Sequence, residues 1–153
     1  MAQGSYDDAM RAALREAALA VTEGDVPVGA VVLDPAGAIV GRGHNRREAA
    51  HDATAHAEIV AMRDAAARQG TWRLDGHTLV VTLEPCAMCA GAIRQARIPR
   101  LVFGAWDEKA GAVGSRWDLV RDARAGASVE VIAGVLEAEC AAPLTAFFKQ
   151  RRD

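Results

Sequence analysis

The positions of hydrophobic residues along the chain divide it into helix-like and strand-like segments. Segment 5–23 repeats apolar residues every three or four positions, which predicts an amphipathic helix. Two short apolar runs, 30–34 and 38–45, flank the turn sequence Asp34-Pro35-Ala36-Gly37, which predicts a β-hairpin. The chain therefore begins with a helix that is followed by two antiparallel strands.

The same pattern predicts alternating strands and helices in the rest of the chain. Helical spacing recurs in 54–70, where Thr54 is the expected N-cap, and again from Cys86 to about Arg97. Strands are predicted at 77–83, 100–105 and 128–134, a short helix at 116–122 and a closing helix at 135–152. A hairpin followed by β-α-β crossovers predicts a mixed five-stranded sheet with helices on both faces, a three-layer α/β/α domain.

Length and composition narrow the class of protein. The chain has 153 residues, which favours one domain over 1–153, and its 25% charged residues are ordinary for a globular protein. A net charge of −2 argues against a general nucleic-acid binder but leaves room for a local basic patch. No apolar run reaches the ~18 residues of a membrane span. The acidic start, MAQGSYDDAM, does not resemble a signal peptide, so a cytoplasmic protein is expected.

Two of the three cysteines lie three residues apart in the sequence TLEPCAMCAGA. Cys86 and Cys89 follow a predicted buried strand and open a predicted helix, where residues i and i+3 share a face and the helix dipole favours thiolates. The spacing alone fits a metal site, a redox pair or two buried thiols about equally. An odd number of cysteines in a chain expected to be cytoplasmic argues against a disulfide framework.

A histidine at the start of another predicted helix favours the metal site. His56 adds a third good zinc ligand to Cys86 and Cys89. Three protein ligands and one open position are typical of catalytic zinc, whereas structural zinc sites usually have four protein ligands. One alternative stays open, a fourth ligand from another histidine: His44, His51 or His77.

Glu58 follows His56 by two positions, and residues with this spacing point apart on a regular helix. Glu58 is therefore a poor co-ligand. It fits the role of a proton shuttle beside the open coordination position. Its alternative role is that of an ordinary acid in the first helical turn, where it stabilises the helix dipole. The predicted zinc site favours the shuttle.

The sequences H-x-E and P-C-x-x-C together resemble the signature of the zinc nucleoside deaminases. The resemblance extends, in the same order and over nearly the whole chain, to the bacterial tRNA-specific adenosine deaminases. It is carried by six stretches: VPVGAVV (26–32), HNR (44–46), TAHAEI (54–59), TLEPCAMCAGA (82–92), VFGAWDEKAGAVGS (102–115) and LEAECAAPLTAFF (136–148).

The resemblance implies a cytidine-deaminase-like α/β/α sandwich with a Zn²⁺ ion on three residues: His56, Cys86 and Cys89. Glu58 would be the catalytic proton shuttle, Asn45 would hydrogen-bond the flipped nucleoside, and Asp107 would lie beside the anticodon-loop backbone. The family is homodimeric, with the third helix near the interface. Its reaction is the hydrolytic deamination of the wobble adenosine of an arginine tRNA to inosine, so the resemblance implies a hydrolase acting on C–N bonds of cyclic amidines.

Two positions depart from the family pattern. Trp106 stands where many relatives carry arginine, and Gly126-Ala127-Ser128 stands where many carry Asn-His-Arg. Both lie where the family meets RNA, so Trp106 either stacks on a base or packs on the domain. A deaminase of free guanine, cytosine or a small nucleoside is therefore the main alternative. A zinc-stabilised RNA-binding module without catalysis is a second alternative, which the retained Glu58 disfavours.

Overall fold

The computed structural model describes residues 6–126 and 128–152, without the side chains of Ala125 and Arg152. These residues form four α-helices and five strands. In chain order they are α1 (Asp7–Thr22), β1 (Gly29–Leu33), β2 (Ile39–His44), α2 (Ala57–Gln69), β3 (Thr78–Leu83), α3 (Ala87–Gln95), β4 (Arg100–Ala105), β5 (Glu130–Ile132) and α4 (Glu137–Arg152). A short 3-10 helix, Ala123–Ala125, precedes β5. None of the described helices is both long and apolar enough to cross a lipid bilayer.

The five strands form one sheet in the order β2-β1-β3-β4-β5. Strand β1 runs antiparallel to β2 and β3, whereas β3, β4 and β5 run parallel to one another. The β1–β2 turn is closed by Asp34, whose Oδ1 accepts hydrogen bonds from the N–H groups of Ala36 and Ala38, each at 2.9 Å. The mixed five-stranded sheet predicted from the order of elements is confirmed.

Alternate residues of the central strands face opposite helix layers. Val31, Val80 and Val102 are buried in one cluster with residues of α1 and α4. Leu79 and Phe103 belong to the other cluster, which contains buried residues of α2 and α3 such as Ala61 and Ile93. Successive side chains of a strand point to opposite faces, so apolar strands of this kind require helices on both sides. The predicted three-layer α/β/α sandwich is confirmed.

Glycines in β2 allow helix α2 to lie unusually close to the sheet. A Cβ atom on Gly43 would lie 2.5 Å from the backbone nitrogen of Ala61 and 2.7 Å from the backbone oxygen of Ala57. Any side chain at Gly43 would therefore push the first turns of α2 away from the strand. This close approach brings the start of α2, which follows His56, next to the end of β2, which precedes Asn45.

The start of α2 differs from the prediction. The helix begins at Ala57 and not near Thr54, and the N-cap position belongs to His56, whose backbone is extended with φ −71° and ψ 154°. Asp52 accounts for the difference, because its Oδ1 accepts hydrogen bonds from both the N–H and the hydroxyl group of Thr54, at 2.8 Å and 2.7 Å. These bonds hold the preceding residues in turns.

The helix predicted at 116–122 is wrong. This segment forms turns and an isolated bridge between Val113 and Asp118. Its backbone bonds with residues that precede it: the N–H of Leu119 donates to the carbonyl of Ala112, and the carbonyl of Trp117 accepts from the N–H of Gly114. The helical spacing of its apolar residues was therefore misleading, because pairing with the preceding loop replaced the helical hydrogen bonds.

Candidate active site

Two helices begin beside each other at the end of the sheet, and their first residues carry the predicted metal ligands. His56 is the N-cap residue of α2 and Cys86 is the N-cap residue of α3. Both have an extended backbone, with ψ angles of 154° and 177°. Cys89 follows in the first turn of α3. His56 and Cys86 are 30 positions apart in the chain. They come together because the Gly43 contact positions the start of α2 and strand β3 leads directly into Cys86.

The three predicted ligands form one compact group. The Nδ1 atom of His56 lies 3.6 Å from the Sγ atom of Cys86 and 3.6 Å from that of Cys89. All three ligand atoms lie within 4.8 Å of one another. A tetrahedral zinc ion with Zn–N of about 2.0 Å and Zn–S of about 2.3 Å places nitrogen and sulfur about 3.5 Å apart, so the group fits zinc with a fourth position open.

The other histidines are not part of this group. His44 contacts Glu16 and Glu23 through its two ring nitrogens, at 3.3 Å and 2.9 Å. The Nδ1 atom of His77 lies 2.8 Å from the carbonyl oxygen of Asp75. Within the described part of the chain, the ligand group contains His56 and two cysteines only, and His51 also lies outside it. The alternative of a fourth histidine ligand is therefore not supported.

The protonation of the ligand group suits a divalent cation. Hydrogen bonds from Cys89 and His56 lower the pKa of Cys86 to about 3. The hydrogen bond with Cys86 raises the pKa of His56. The bond to Cys86, together with burial, raises the pKa of Cys89, because a second thiolate beside the first is disfavoured. A divalent cation that binds both sulfurs offsets the repulsion between the two thiolates.

Glu58 lies in the first turn of α2, beside the ligand group but outside it. Its side chain interacts with the thiol of Cys89, and the residue is only 4% exposed. Burial raises the pKa of the Glu58 carboxyl group to about 7. A carboxyl group with a pKa near neutrality can both accept and release a proton, as general acid–base catalysis requires.

A cavity of about 620 Å³ lies over the ligand group, within the usual range of small-molecule sites. His56, Glu58 and Cys86 line it, so two of the three predicted ligands and the buried acid share one space. Trp106 and Phe148 add aromatic surface. The cavity therefore combines apolar walls with a few polar groups that could bind and convert a heterocyclic ligand.

Asn45 also lines this cavity and is 8% exposed. Its Oδ1 accepts a hydrogen bond of 3.1 Å from the N–H of Arg47, which fixes the side chain. In this orientation Asn45 can offer its NH₂ group, a hydrogen-bond donor, to a ligand.

Asp107 lines the cavity from the loop that follows β4. Its Oδ1 accepts hydrogen bonds from the N–H groups of Lys109 and Ala110, at 3.1 Å and 3.2 Å. The structure thus places Asp107 near the other predicted site residues, but its carboxylate stabilises the turn of its own loop.

The sequence left two roles open for Trp106, packing on the domain or stacking on a base, and its position is compatible with both. Its ring packs edge-to-face on Phe103, with ring centroids 4.9 Å apart and an interplanar angle of 88°. It is nevertheless 45% exposed and lines the cavity. In the other departing segment, Ala127 lies outside the described residues, and its neighbours Gly126 and Ser128 do not line the cavity.

Sequence reasoning did not identify several residues of the cavity as site residues: Arg47, Lys109 and Leu144. Arg47 and Lys109 could have been noticed, since each lies within two positions of a predicted site residue. Leu144 carries no such signal, because it belongs to α4, far from Glu58 in the chain. Phe147 and Phe148 are adjacent and cannot both face the core, which indicates that one of them faces the substrate, and Phe148 is the one that lines the cavity.

Comparison with known proteins identifies the family. The model of the cytidine and deoxycytidylate deaminase zinc-binding region matches residues 4–105. The tRNA-specific adenosine deaminase of Haemophilus influenzae is 50% identical over 144 residues, which cover 94% of this chain and 83% of that protein. The tRNA-specific adenosine deaminase of Bacillus subtilis is 46% identical over 143 residues, which cover 94% of this chain and 88% of that protein.

One similar solved structure comes from work on A-to-I editing by tRNA:A34 deaminases at the wobble position of transfer RNA. It matches this chain with a TM-score of 0.86 and 43% identity, and the match covers 90% of this chain and 99% of that chain. The description of the family model and the group of His56, Cys86 and Cys89 together confirm the predicted zinc cofactor. The chain belongs to the cytidine and deoxycytidylate deaminase family and, within it, to the tRNA-specific adenosine deaminases.

Proposed function

We propose that this protein is a zinc-dependent hydrolase that converts an adenosine at the wobble position of a tRNA to inosine. The observation that carries the proposal is the buried Glu58 beside the group of His56, Cys86 and Cys89, at a cavity that Glu58, His56 and Cys86 line. The relatives that are 46% and 50% identical over 94% of the chain are tRNA-specific adenosine deaminases, which supports adenosine in tRNA as the substrate.

The residues of the cavity account for the reaction. When bound to His56, Cys86 and Cys89, zinc lowers the pKa of a water molecule and so supplies a nucleophile near neutral pH. Glu58 accepts one proton of the water and passes it to N1 of adenine, and it then accepts the remaining proton of the hydroxyl group on C6 and passes it to the leaving amino group. In total, one water molecule adds its oxygen to C6 and one ammonia molecule leaves, and a carbonyl group remains.

Asn45 and the walls of the cavity orient the nucleoside in this proposal. The NH₂ group of Asn45 donates to an acceptor of the nucleoside, in the orientation in which the Oδ1 of Asn45 accepts from the N–H of Arg47. Val28, Leu144 and Phe148 provide apolar surface against the base and the sugar. A base must leave its stack to enter such a cavity, and an unpaired loop nucleotide does so at the lowest cost.

Two cations at the cavity, Arg47 and Lys109, suit the phosphates next to the target nucleotide. In this proposal Asp107 lies beside the anticodon-loop backbone without binding a phosphate itself. Its carboxylate accepts from the N–H of Lys109 and thereby holds the turn that carries this cation. The local cations also explain how a chain with a net charge of −2 can bind RNA.

The substrate is tested by incubating the zinc-loaded protein with total tRNA and, separately, with free adenosine, guanine and cytosine. We propose an arginine tRNA as the substrate, on the resemblance of the sequence to that family, and we expect inosine at the wobble position of that tRNA alone. Ammonia release from guanine or cytosine without inosine in tRNA would support a free-base deaminase. Absence of any product from fully zinc-loaded protein would support a binding module without catalysis.

We also propose that the protein acts as a homodimer through the surface between α2 and α3. An apolar groove of about 590 Å³ lies there, separate from the catalytic cavity. Its apolar lining residues are Ile59, Met62, Ala66, Trp72, Leu74, Ala92 and Ala96. Trp72 is 60% exposed, and an exposed aromatic side chain beside apolar neighbours is typical of an interface. A second copy suits this face, because a twofold axis pairs one apolar surface with itself.

Replacing Trp72 by arginine is expected to weaken the dimer by about 30-fold or more, the effect of losing a central aromatic contact. Sedimentation velocity over a range of protein concentrations measures this change. The matched control is Trp117→Arg, because Trp117 is 52% exposed but lies outside the groove. A wild-type protein that is monomeric, or a dimer that Trp72→Arg leaves intact, would contradict the proposed interface.

A further inference from the structure

Glu84 is a buried carboxylate that the proposed mechanism does not use. It lies between β3 and the ligand Cys86, and it is only 2% exposed. Burial of a carboxylate is costly unless hydrogen-bond donors replace the lost water. The donors that reach Glu84 therefore indicate what this residue does in the fold.

Among the described residues, the donors to the Glu84 carboxylate all belong to the loop of residues 107–115. Its Oε1 accepts from the N–H of Asp107 at 3.0 Å and from the hydroxyl group of Ser115. Its Oε2 accepts from the N–H groups of Val113 and Ser115, both at 3.0 Å. Hydrogen bonds to a carboxylate are stronger than those between neutral groups, and these four bind both ends of the loop.

The middle of the same loop packs directly on the Glu84–Cys86 segment. The N–H of Ala112 donates to the carbonyl of Pro85 at 2.8 Å, and Gly111 forms an isolated bridge with Cys86. A Cβ atom on Gly111 would overlap the carboxyl group of Glu84. Gly111 is therefore needed for this close approach.

The loop held in this way forms one wall of the catalytic cavity. Asp107, Glu108, Lys109 and Ala110 all line the cavity. Glu58 and the zinc ligands belong to other segments of the chain, at the starts of α2 and α3. Displacement of the loop would thus change the shape of the cavity, whereas the helices that carry Glu58, His56 and Cys89 are not part of the loop.

We infer that Glu84 is a positioning residue whose carboxylate fixes the loop of residues 107–115 and thereby shapes the wall of the cavity that binds substrate. The inference about the loop rests on the hydrogen bonds of Glu84, and its consequence for substrate binding rests on the proposed deamination of tRNA. It predicts a defect in substrate binding and not in the chemical step.

The test is Glu84→Gln. Glutamine keeps the size of the side chain but replaces one acceptor oxygen by an NH₂ group, so at least one N–H group of the loop loses its acceptor. We expect the hydrogen-exchange protection of residues 107–115 to fall by about 10- to 100-fold, with the zinc content unchanged. For an anticodon stem-loop RNA, we expect KM to rise by about tenfold or more and kcat to stay within about threefold.

Two further variants separate this effect from general destabilisation. Gly111→Ala pushes a methyl group against the Glu84 carboxyl group, so it should reproduce the exchange pattern of Glu84→Gln. Asp25→Asn is the matched control, because Asp25 is 2% exposed and accepts from the N–H groups of Glu48 and Ala49. This buried carboxylate holds a different loop, so its loss should expose residues 46–51 and leave the loop of residues 107–115 protected.

The inference is overturned if the loop keeps its protection in both Glu84→Gln and Gly111→Ala, or if both variants lose protection throughout the chain. A fall in kcat with an unchanged KM would overturn it as well. If the wild-type protein does not deaminate RNA, the proposed function fails, but hydrogen exchange needs no substrate and still decides whether Glu84 holds the loop. If Glu84→Gln does not fold, Gly111→Ala provides the same readout.

Discussion

Replacing Glu58 by glutamine is expected to leave zinc bound and to lower kcat by between about 100-fold and 10,000-fold, the usual contribution of a general acid–base group. Glutamine has the same shape but cannot accept the protons that Glu58 moves to N1 and to the amino group of adenine. Zinc should be retained, because Glu58 is not part of the ligand group. Inosine formation under single-turnover conditions measures the chemical step, and elemental analysis measures zinc.

Asp64→Asn is the control for the loss of a negative charge on α2. Asp64 lies on the same helix, but its carboxylate bonds with Arg68 and the N–H of Arg42, outside the cavity. We expect this variant to turn over at the wild-type rate. Normal turnover by Glu58→Gln would exclude the shuttle role, and loss of zinc from Glu58→Gln would show that the residue acts on the metal site instead.

The parts of the fold that sequence predicted are those set by local patterns. Strands such as 100–105 were predicted correctly because a short apolar run bounded by breakers has few other uses in a domain of this size. Segment 116–122 was mispredicted because helical spacing does not reveal competing partners. There, Ala112 and Gly114 pair with the backbone that an isolated helix would have used.

In the site, too, sequence predicted the features that follow from local patterns and not those that depend on distant segments of the chain. Cys86 and Cys89 were predicted to share a helix face because this follows from their spacing, and His56 was added because its residue type completed a ligand set. The role of Glu84 could not be predicted, since its hydrogen bonds depend on a loop 23 to 31 residues later in the chain folding back over it. An acid before a proline and a cysteine looks like any other surface acid until that loop is in place.

Replacing Cys86 or Cys89 by serine is expected to lower the affinity for zinc by more than about 100-fold, above the cost of losing an outer-shell partner. Serine keeps the size of the side chain, but its hydroxyl group does not ionise near neutral pH and cannot replace a thiolate on zinc. Each variant leaves only two ligands, one of them His56. Turnover should fall in parallel with zinc content, which titration with a chromogenic chelator measures.

Cys140, the third cysteine, provides the control that shows whether zinc loss is specific to the two ligand cysteines. Cys140 is fully buried in α4 against Gly104 and takes no part in the ligand group. Cys140→Ala should therefore keep one zinc ion per chain and normal turnover, even if the cavity left by sulfur lowers the free energy of unfolding. Full zinc occupancy in Cys86→Ser or Cys89→Ser would contradict the ligand set, and equal zinc loss in Cys140→Ala would show that unfolding, and not the missing thiolate, releases the metal.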